Sequence, residues 1–589
     1  MKQFFKFVLA SMVGVLIISA ILIFIVIGII VAASSEKTVE VEPNSVLQIS
    51  LNYPITERTP DNPLSGLSFL GIDGDKTIGL NDILANIKKA KTDSNIKGIF
   101  LDQSYVIAGQ ATTEEIRNAL IDFKKSGKFV IAYSEIYTQS FYYLASVADK
   151  VYINPKGIFE FHGFSSEITF LKGALDKLGI DVQIIKVGTY KSAVEPFFLT
   201  KMSDANRLQV NSYLGSLYDH FLTQISASRN INKDSLFNYA NELKIRLPED
   251  ALKYKLVDGL KYKDEILAEL KQLTGADSKD DLKSVELADY TKGETKKESE
   301  KKESKNRIAV VYASGEINGG DGDDNTIGSE RISKALRQAR LDDKVKAVVF
   351  RVNSPGGSSL ASDVIWREVM LTKKVKPIIV SMGDLAASGG YYISCAADSI
   401  IAEPNTITGS IGIFAILPNM QKFFNDKLGI TFDGVKTGKY ADLGDVSRPL
   451  TPEEKSILQS EVNHGYDDFT KAVADGRHKT QAYINSIGQG RVWTGEQAVK
   501  IGLVDRLGNI NDAVKSAAKE AKIKNYKLVA YPEQKSIFTK FGQGLTAQMK
   551  AHFMKSELGD NFKYYEQIKG VTQMMRTPQA RLPYDIAIN

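Results

Sequence analysis

The string DKLGI occurs at residues 176–180 and again at 426–430, and the match spreads outward from both copies. FVIAYSEIYTQSFYYLASVADKVYINP (129–155) lies over IIVSMGDLAASGGYYISCAADSIIAEP (378–404), and IKGIFLD (96–102) over VKAVVFR (345–351). Further on, DALKYKLVDGL (250–260) lies over the end of EQAVKIGLVDRL, with offsets of 247 to 250 throughout. A register held over about 160 residues means an internal duplication. No other feature constrains the chain so much, because whatever one copy folds into, the other must fold into as well.

Each copy alternates short apolar runs with longer amphipathic stretches. VKAVVF and PIIVSM read as buried strands, and SSLASDVIWREVMLTKK between them has apolar positions at helical spacing. Strand–helix–strand alternation implies a parallel sheet with crossover helices. The chain has 589 residues, too many for one core, and the two copies divide it naturally. The N-terminal repeat is expected over 45–290 and the C-terminal repeat over 307–525. Between them TKGETKKESEKKESKN (291–306) has almost nothing apolar to bury and reads as a solvated linker, or else an interaction tail. Residues 526–589 carry mixed helical, polar and basic signals and no motif.

The chemistry lies in what the copies do not share. In the second, NSPGGS (353–358) follows a strand. Pro-Gly suits a turn with a positive φ at its second central residue, and two glycines let another backbone approach. Exposed amides there, leading into a helix, would form an anion site, unless the segment is only a strand–helix turn. The next strand ends in ASGGYY, which sets Ser388 at a strand-to-helix elbow. There its hydroxyl is exposed and the following amide can face an oxyanion, as in a nucleophile elbow; a helix N-cap serine would look the same. At the matching position the first copy has Gln139, and in place of NSPGG it has DQSYVIAG. Conversely GTYKSAVEPF (188–197) holds Lys191, where the second copy's TGKYADLGDV (437–446) has Ala441. The losses are reciprocal. A structural lysine and a structural serine have no reason to sort this way; one composite site, built from both copies, explains both.

A serine hydroxyl needs a base. Lysine serves if burial in an apolar interface keeps it neutral, as general base and then general acid. Ser410, in TITGSIGIF (406–414), also has no serine counterpart and could hold the amine by a hydrogen bond, or be an ordinary turn serine. Such a pair needs no histidine and no metal. His162, His220, His464, His478 and His552 are scattered without metal-ligand spacing, and Cys395 is the only cysteine. No cofactor is therefore expected. Lys+Arg 75 against Asp+Glu 70 is too even a balance to argue for a nucleic-acid partner.

Residues 7–33 are 27 positions without a charge, long enough for a transmembrane helix, with Lys2 and Lys6 before them. A cleaved signal peptide would have a shorter apolar region and a clear cleavage site, so an uncleaved anchor is expected. By the positive-inside tendency, residues 1–6 stay cytoplasmic and the body lies outside the inner membrane.

Together YKSAVEPF, NSPGG, ASGGYY and TGSIGIF closely resemble the signal peptide peptidase A proteins in their long two-repeat bacterial form, over roughly residues 1–525. NSPGG alone is shared more widely, across Clp-protease and crotonase-like folds. The resemblance implies an α/β chain with tandem duplicated Clp-protease/crotonase-like domains behind an N-terminal transmembrane helix. It implies Ser388 as nucleophile, Lys191 as general base, and Ser410 as the group orienting the lysine. Amides near Gly356 or Gly357, with Gly389, would form the oxyanion hole. It further implies a single-pass protein of the bacterial cell membrane with a periplasmic body, a homotetramer, and remnant signal peptides as substrate. Two other readings stay open: a crotonase-like acyl-CoA enzyme, which would need neither Ser388 nor Lys191, and a non-catalytic membrane scaffold.

Overall fold

A computed structural model describes residues 2–33, 40–60, 77–292, 304–534 and 578–582. In the N-terminal (front) repeat, strands β1 (Ser45–Ile49), β2 (Ile96–Asp102), β3 (Phe129–Tyr137), β4 (Lys150–Phe159), β5 (Asp181–Val187), β6 (Gly259–Leu260) and β7 (Ser284–Glu286) alternate with helices. In the C-terminal (rear) repeat the strands are β8 (Arg307–Ser314), β9 (Glu316–Asn318), β10 (Thr326–Gly328), β11 (Val345–Ser354), β12 (Gly356–Ser358), β13 (Ile378–Ala387), β14 (Ser399–Ala402), β15 (Ile407–Gly409), β16 (Ile413–Asn419), β17 (Val492–Thr494), β18 (Arg506–Leu507), β19 (Lys527–Tyr531) and β20 (Gln579–Arg581). The helices used below are α1 (Lys2–Ala33), α2 (Gln110–Lys124), α3 (Gln139–Ala145), α4 (Asp204–Arg229), α5 (Ser359–Lys373), α6 (Gly389–Ser394) and α7 (Pro452–Arg477).

The front sheet runs β6-β4-β3-β2-β1-β7 with every pair parallel. The rear sheet contains the same path, β18-β14-β13-β11-β8-β19, also parallel. Both are covered by helices, which is why their central strands are apolar without alternation; in β11 all but two of the ten residues are fully enclosed. The duplication extends to detail. α4 and α7 each have 26 residues and end on a left-handed residue, Asn230 and His478, both with φ 53° and ψ 45°.

A third sheet belongs to neither repeat alone. Its order is β10-β9-β12-β20-β16-β5, and β5 of the front repeat pairs antiparallel along its whole length with β16 of the rear. This seam carries the lysine loop from one repeat to the serine of the other. A buried ionic cluster fastens the same junction. Arg351 on β11 lies 2.8 Å from the Glu57 carboxylate and 2.6 Å from that of Glu115 on α2, while the backbone N–H and hydroxyl of Thr112 donate to Asp384.

Three expected boundaries shift. The rear repeat does not stop at 525, because β19 adds to its sheet beside β8, as β7 adds beside β1. The tail after it contributes β20 to the third sheet, so part of 526–589 has a structural place. Of the expected linker 291–306, residues 293–303 lie outside the described residues. At the N-terminus α1 spans Lys2–Ala33, but the side chains of 22–33 lie outside the described residues. Among the described residues no helix is long and apolar enough to cross a membrane.

Candidate active site

Ser388 follows the last residue of β13 and opens α6, with φ 55° and ψ −115°. A serine held there is strained, and such strain persists only where surrounding structure enforces it. Its N–H donates to the Gly409 carbonyl at 2.7 Å. Its side chain caps nothing on α6. The contrast with Ser358 is direct: that serine precedes α5 and its hydroxyl accepts from Ala361 N–H, as a capping serine should.

The front repeat supplies the partner. β5 ends at Val187, and Gly188 turns the chain at φ 110° so closely against Gln489 that a Cβ would stand 2.6 Å from that backbone. Tyr190 N–H then donates to the Gln489 carbonyl at 2.8 Å. Beyond Lys191 a 3-10 turn (Ser192–Val194) and one helical turn (Glu195–Phe198) close the loop, with Pro196 near the start of the latter. The Glu195 carboxylate accepts from Ser203 and Asn206 at the start of α4, and the Gln209 amide donates to the Tyr190 carbonyl and the Ser192 hydroxyl. The lysine is thereby fixed from both sides.

Lys191 Nζ lies 2.8 Å from Ser388 Oγ, 3.1 Å from Ser410 Oγ and 3.2 Å from the Ser410 carbonyl oxygen. All three residues are fully buried. Three oxygens suit a neutral amine, which has two N–H groups and one lone pair. Burial pushes the Lys191 amine well below its ordinary range, and no acid among the described residues opposes that shift. A neutral amine touching a strained serine hydroxyl can accept the hydroxyl proton.

Ser410 also sits at a positive φ, 51°, and its N–H donates to the Arg491 carbonyl at 2.7 Å. Of the three glycines singled out in the sequence, Gly356 (φ 102°) and Gly389 lie face to face: a Cβ on Gly356 would stand 2.8 Å from Gly389 N. Gly357 turns the other way, where a Cβ would strike the Ile317 carbonyl of β9 at 2.1 Å. The pair nearest Ser388 is therefore Gly356 and Gly389.

Sequence reasoning missed two elements here. Gly490 presses on the lysine backbone, and the short string GQG (488–490) is no recognisable signal. Glu57 reaches Asn353 of the NSPGG turn at 2.9 Å, and Asn353 Oδ1 in turn accepts from Leu385 N–H. Nothing local in the sequence ties residue 57 to residue 353. Among the described residues no cluster of histidine, cysteine, aspartate or glutamate has metal-binding geometry.

A model of peptidase family S49 matches residues 122–277 and 370–524, one stretch in each repeat. The protein described as Protease 4 of Salmonella typhi is 39% identical over 482 residues, 80% of this chain and 77% of that one. Protease 4 of Haemophilus influenzae is 40% identical over 452 residues, 75% and 73% of the two chains. The chloroplastic serine protease SPPA of Arabidopsis thaliana is 32% identical over 498 residues, 84% and 72%.

Proposed function

Because the chain belongs to peptidase family S49 and is a serine protease, we propose that it hydrolyses peptides with Ser388 as nucleophile and Lys191 as base. The observation that carries this is the buried 2.8 Å contact between Nζ and Oγ, with nothing nearby to keep the amine charged. Nζ takes the Ser388 proton while Oγ attacks the scissile carbonyl carbon. The resulting oxyanion is met by amides at Gly356 and Gly389. Nζ then returns the proton to the departing amine as the C–N bond breaks, leaving an ester on Ser388. Water, deprotonated by the same amine, releases the acyl group and restores the hydroxyl. Ser410 holds the amine toward Ser388 through both its hydroxyl and its carbonyl. An acyl-CoA enzyme or an inert scaffold would have no use for either the contact or the strained serine.

The test is covalent labelling of the full chain with a fluorophosphonate. Label should appear on the wild type and vanish in Ser388→Ala. Label that survives this change means that another residue is the nucleophile.

Residues 7–33 would anchor the protein in the bacterial inner membrane, with the catalytic body outside and remnant signal peptides as substrates. In support, Phe7, Leu9, Met12, Leu16 and Ile18 of α1 are all exposed, and a helix apolar on every side needs lipid or protein around it. External protease should digest the body and spare the N-terminus; the reverse pattern would refute the orientation.

Assembly into a closed ring of copies, a homotetramer, has support in the duplication. β5 of the front repeat is zipped to β16 of the rear. The counterpart of β5, residues 431–437, forms no strand and is exposed throughout, and the counterpart of β16, residues 164–170, forms none either. Repeating the same junction between chains would join those two free segments. Val435→Asp should then reduce the assembled mass seen by light scattering.

A further inference from the structure

The cleft beside Ser388 is already filled by a strand. β20 (Gln579–Arg581) lies antiparallel to β12, with Gly356 opposite Arg581, Gly357 opposite Ala580 and Ser358 opposite Gln579. On its other edge Gln579 pairs with Phe414 of β16. The ladder continues past both ends: Ser359 N–H donates to the Pro578 carbonyl at 3.3 Å, and Leu582 N–H donates to the Pro355 carbonyl at 2.8 Å. An extended segment held between two strand edges is bound chiefly through its main chain, with alternate side chains read by pockets.

Those side chains differ in what holds them. The Ala580 carbonyl oxygen would be only 2.1 Å from a Cβ on Gly356 and 3.0 Å from one on Gly389. This is the backbone approach that NSPGG and ASGG permit, and Ala580 itself is 1% exposed, with no room to grow. Arg581 points the other way, where its guanidinium lies 2.9 Å from the Glu316 carboxylate on β9. Leu582, 3% exposed, enters an apolar pocket with Ala387, Ile407, Val210, Tyr213 and Val492, beside the residue that precedes Ser388. The segment therefore alternates a small residue, a cation and a large aliphatic side chain, and each meets a surface of matching size or charge.

We infer that residues 578–582 occupy the peptide-substrate groove as a tethered internal ligand, and that Glu316 and the Leu582 pocket are specificity determinants of that groove. The substrate class is an extended peptide with a small residue, then a basic residue, then a bulky aliphatic one. This rests on the reading of Ser388 as the nucleophile only in naming the groove catalytic; occupancy and selectivity can be measured without turnover. A tethered segment acts at an effective concentration of roughly millimolar, so free peptide must compete with it.

The experiment measures binding of a fluorescein-labelled Pro-Gln-Ala-Arg-Leu peptide by anisotropy, to the intact chain and to a chain ending at residue 577. The shortened chain should bind at least about tenfold more tightly. In it, Glu316→Lys should weaken binding by about tenfold, and a peptide carrying glutamate in place of arginine should recover the loss. Should the shortened chain fail to fold, full-length Ala580→Trp, whose side chain has no space against Gly356, should open the groove to the peptide in the same way. Equal binding by chains with and without the seated segment, or indifference to the charge at 316, overturns the inference. Fluorophosphonate labelling of the same samples separates the two claims. Label without peptide selectivity defeats this inference and leaves Ser388 as nucleophile; peptide selectivity without label does the reverse.

Discussion

Gly490 lies against Lys191 so closely that a Cβ on the glycine would stand 2.6 Å from the lysine nitrogen and 2.7 Å from its Cα. The glycine also has φ 78°, a conformation that a side chain resists. The rear repeat thus presses the catalytic loop of the front repeat into place through bare backbone. Gly490→Ala should destabilise the protein by about 1–3 kcal/mol and shift Lys191 off Ser388, with a loss in kcat of about 100-fold. Thermal unfolding and peptide hydrolysis check this. Full activity in the variant would mean that the contact does not position the lysine.

Lys191→Met should abolish turnover while making the fold more stable near neutral pH. The folded amine binds its proton less tightly than the amine of the unfolded chain, which titrates near 10.5. Below that value unfolding takes up a proton, so burying the neutral amine costs stability there. The gain from methionine should therefore shrink as pH rises toward 10. Lys191→Arg should be inactive as well, since a guanidinium does not deprotonate, and both variants should lose about 100- to 10,000-fold in kcat. A methionine variant less stable than wild type at pH 7 would contradict a neutral buried amine.

Removing one of the three oxygens around Nζ should tune the reaction without ending it. Ser410→Ala deletes the hydroxyl but keeps the carbonyl contact. A drop in kcat of roughly 5- to 150-fold, matching the loss of one buried hydrogen bond, is expected with little change in KM. The rising limb of the pH–rate profile should move as well, because the amine's surroundings change. A variant with an unaltered pH profile would show that the hydroxyl does not bear on the lysine.

Glu403 is buried near Glu115 and Glu114, and burial first, then those carboxylates, raise its proton affinity well above the ordinary carboxyl range. Its proton adds stability at acid pH, and that stability is lost as pH rises through the folded pKa. Glu403→Gln mimics the protonated form. The variant should match wild type in acid and exceed it in melting temperature at neutral pH and above. Parallel melting curves across pH would rule out ionisation at this site.

Much of this molecule was legible in one dimension. The offsets of 247 to 250 announced two similar α/β units, and the two sheets do run in the same strand order. The reciprocal loss of Ser388 and Lys191 pointed to one place before any distance was known, because a duplicated chain carries its own comparison. Local periodicity and turn chemistry set strands, helices and the Pro-Gly turn, since those depend on neighbours a few residues apart.

What only the tertiary structure decided depends on pairings that leave no local trace. A serine before a helix reads alike as cap or elbow; the φ of 55° and the uncapped helix distinguish Ser388 from Ser358. The third sheet joins residues 181–187 to 413–419 and threads 579–581 between two strands, and four or five residues of tail have no period to read. Glu57 and Arg351 likewise meet across 294 positions of chain. Such contacts are selected by packing and burial in the finished fold, where distance along the chain no longer counts.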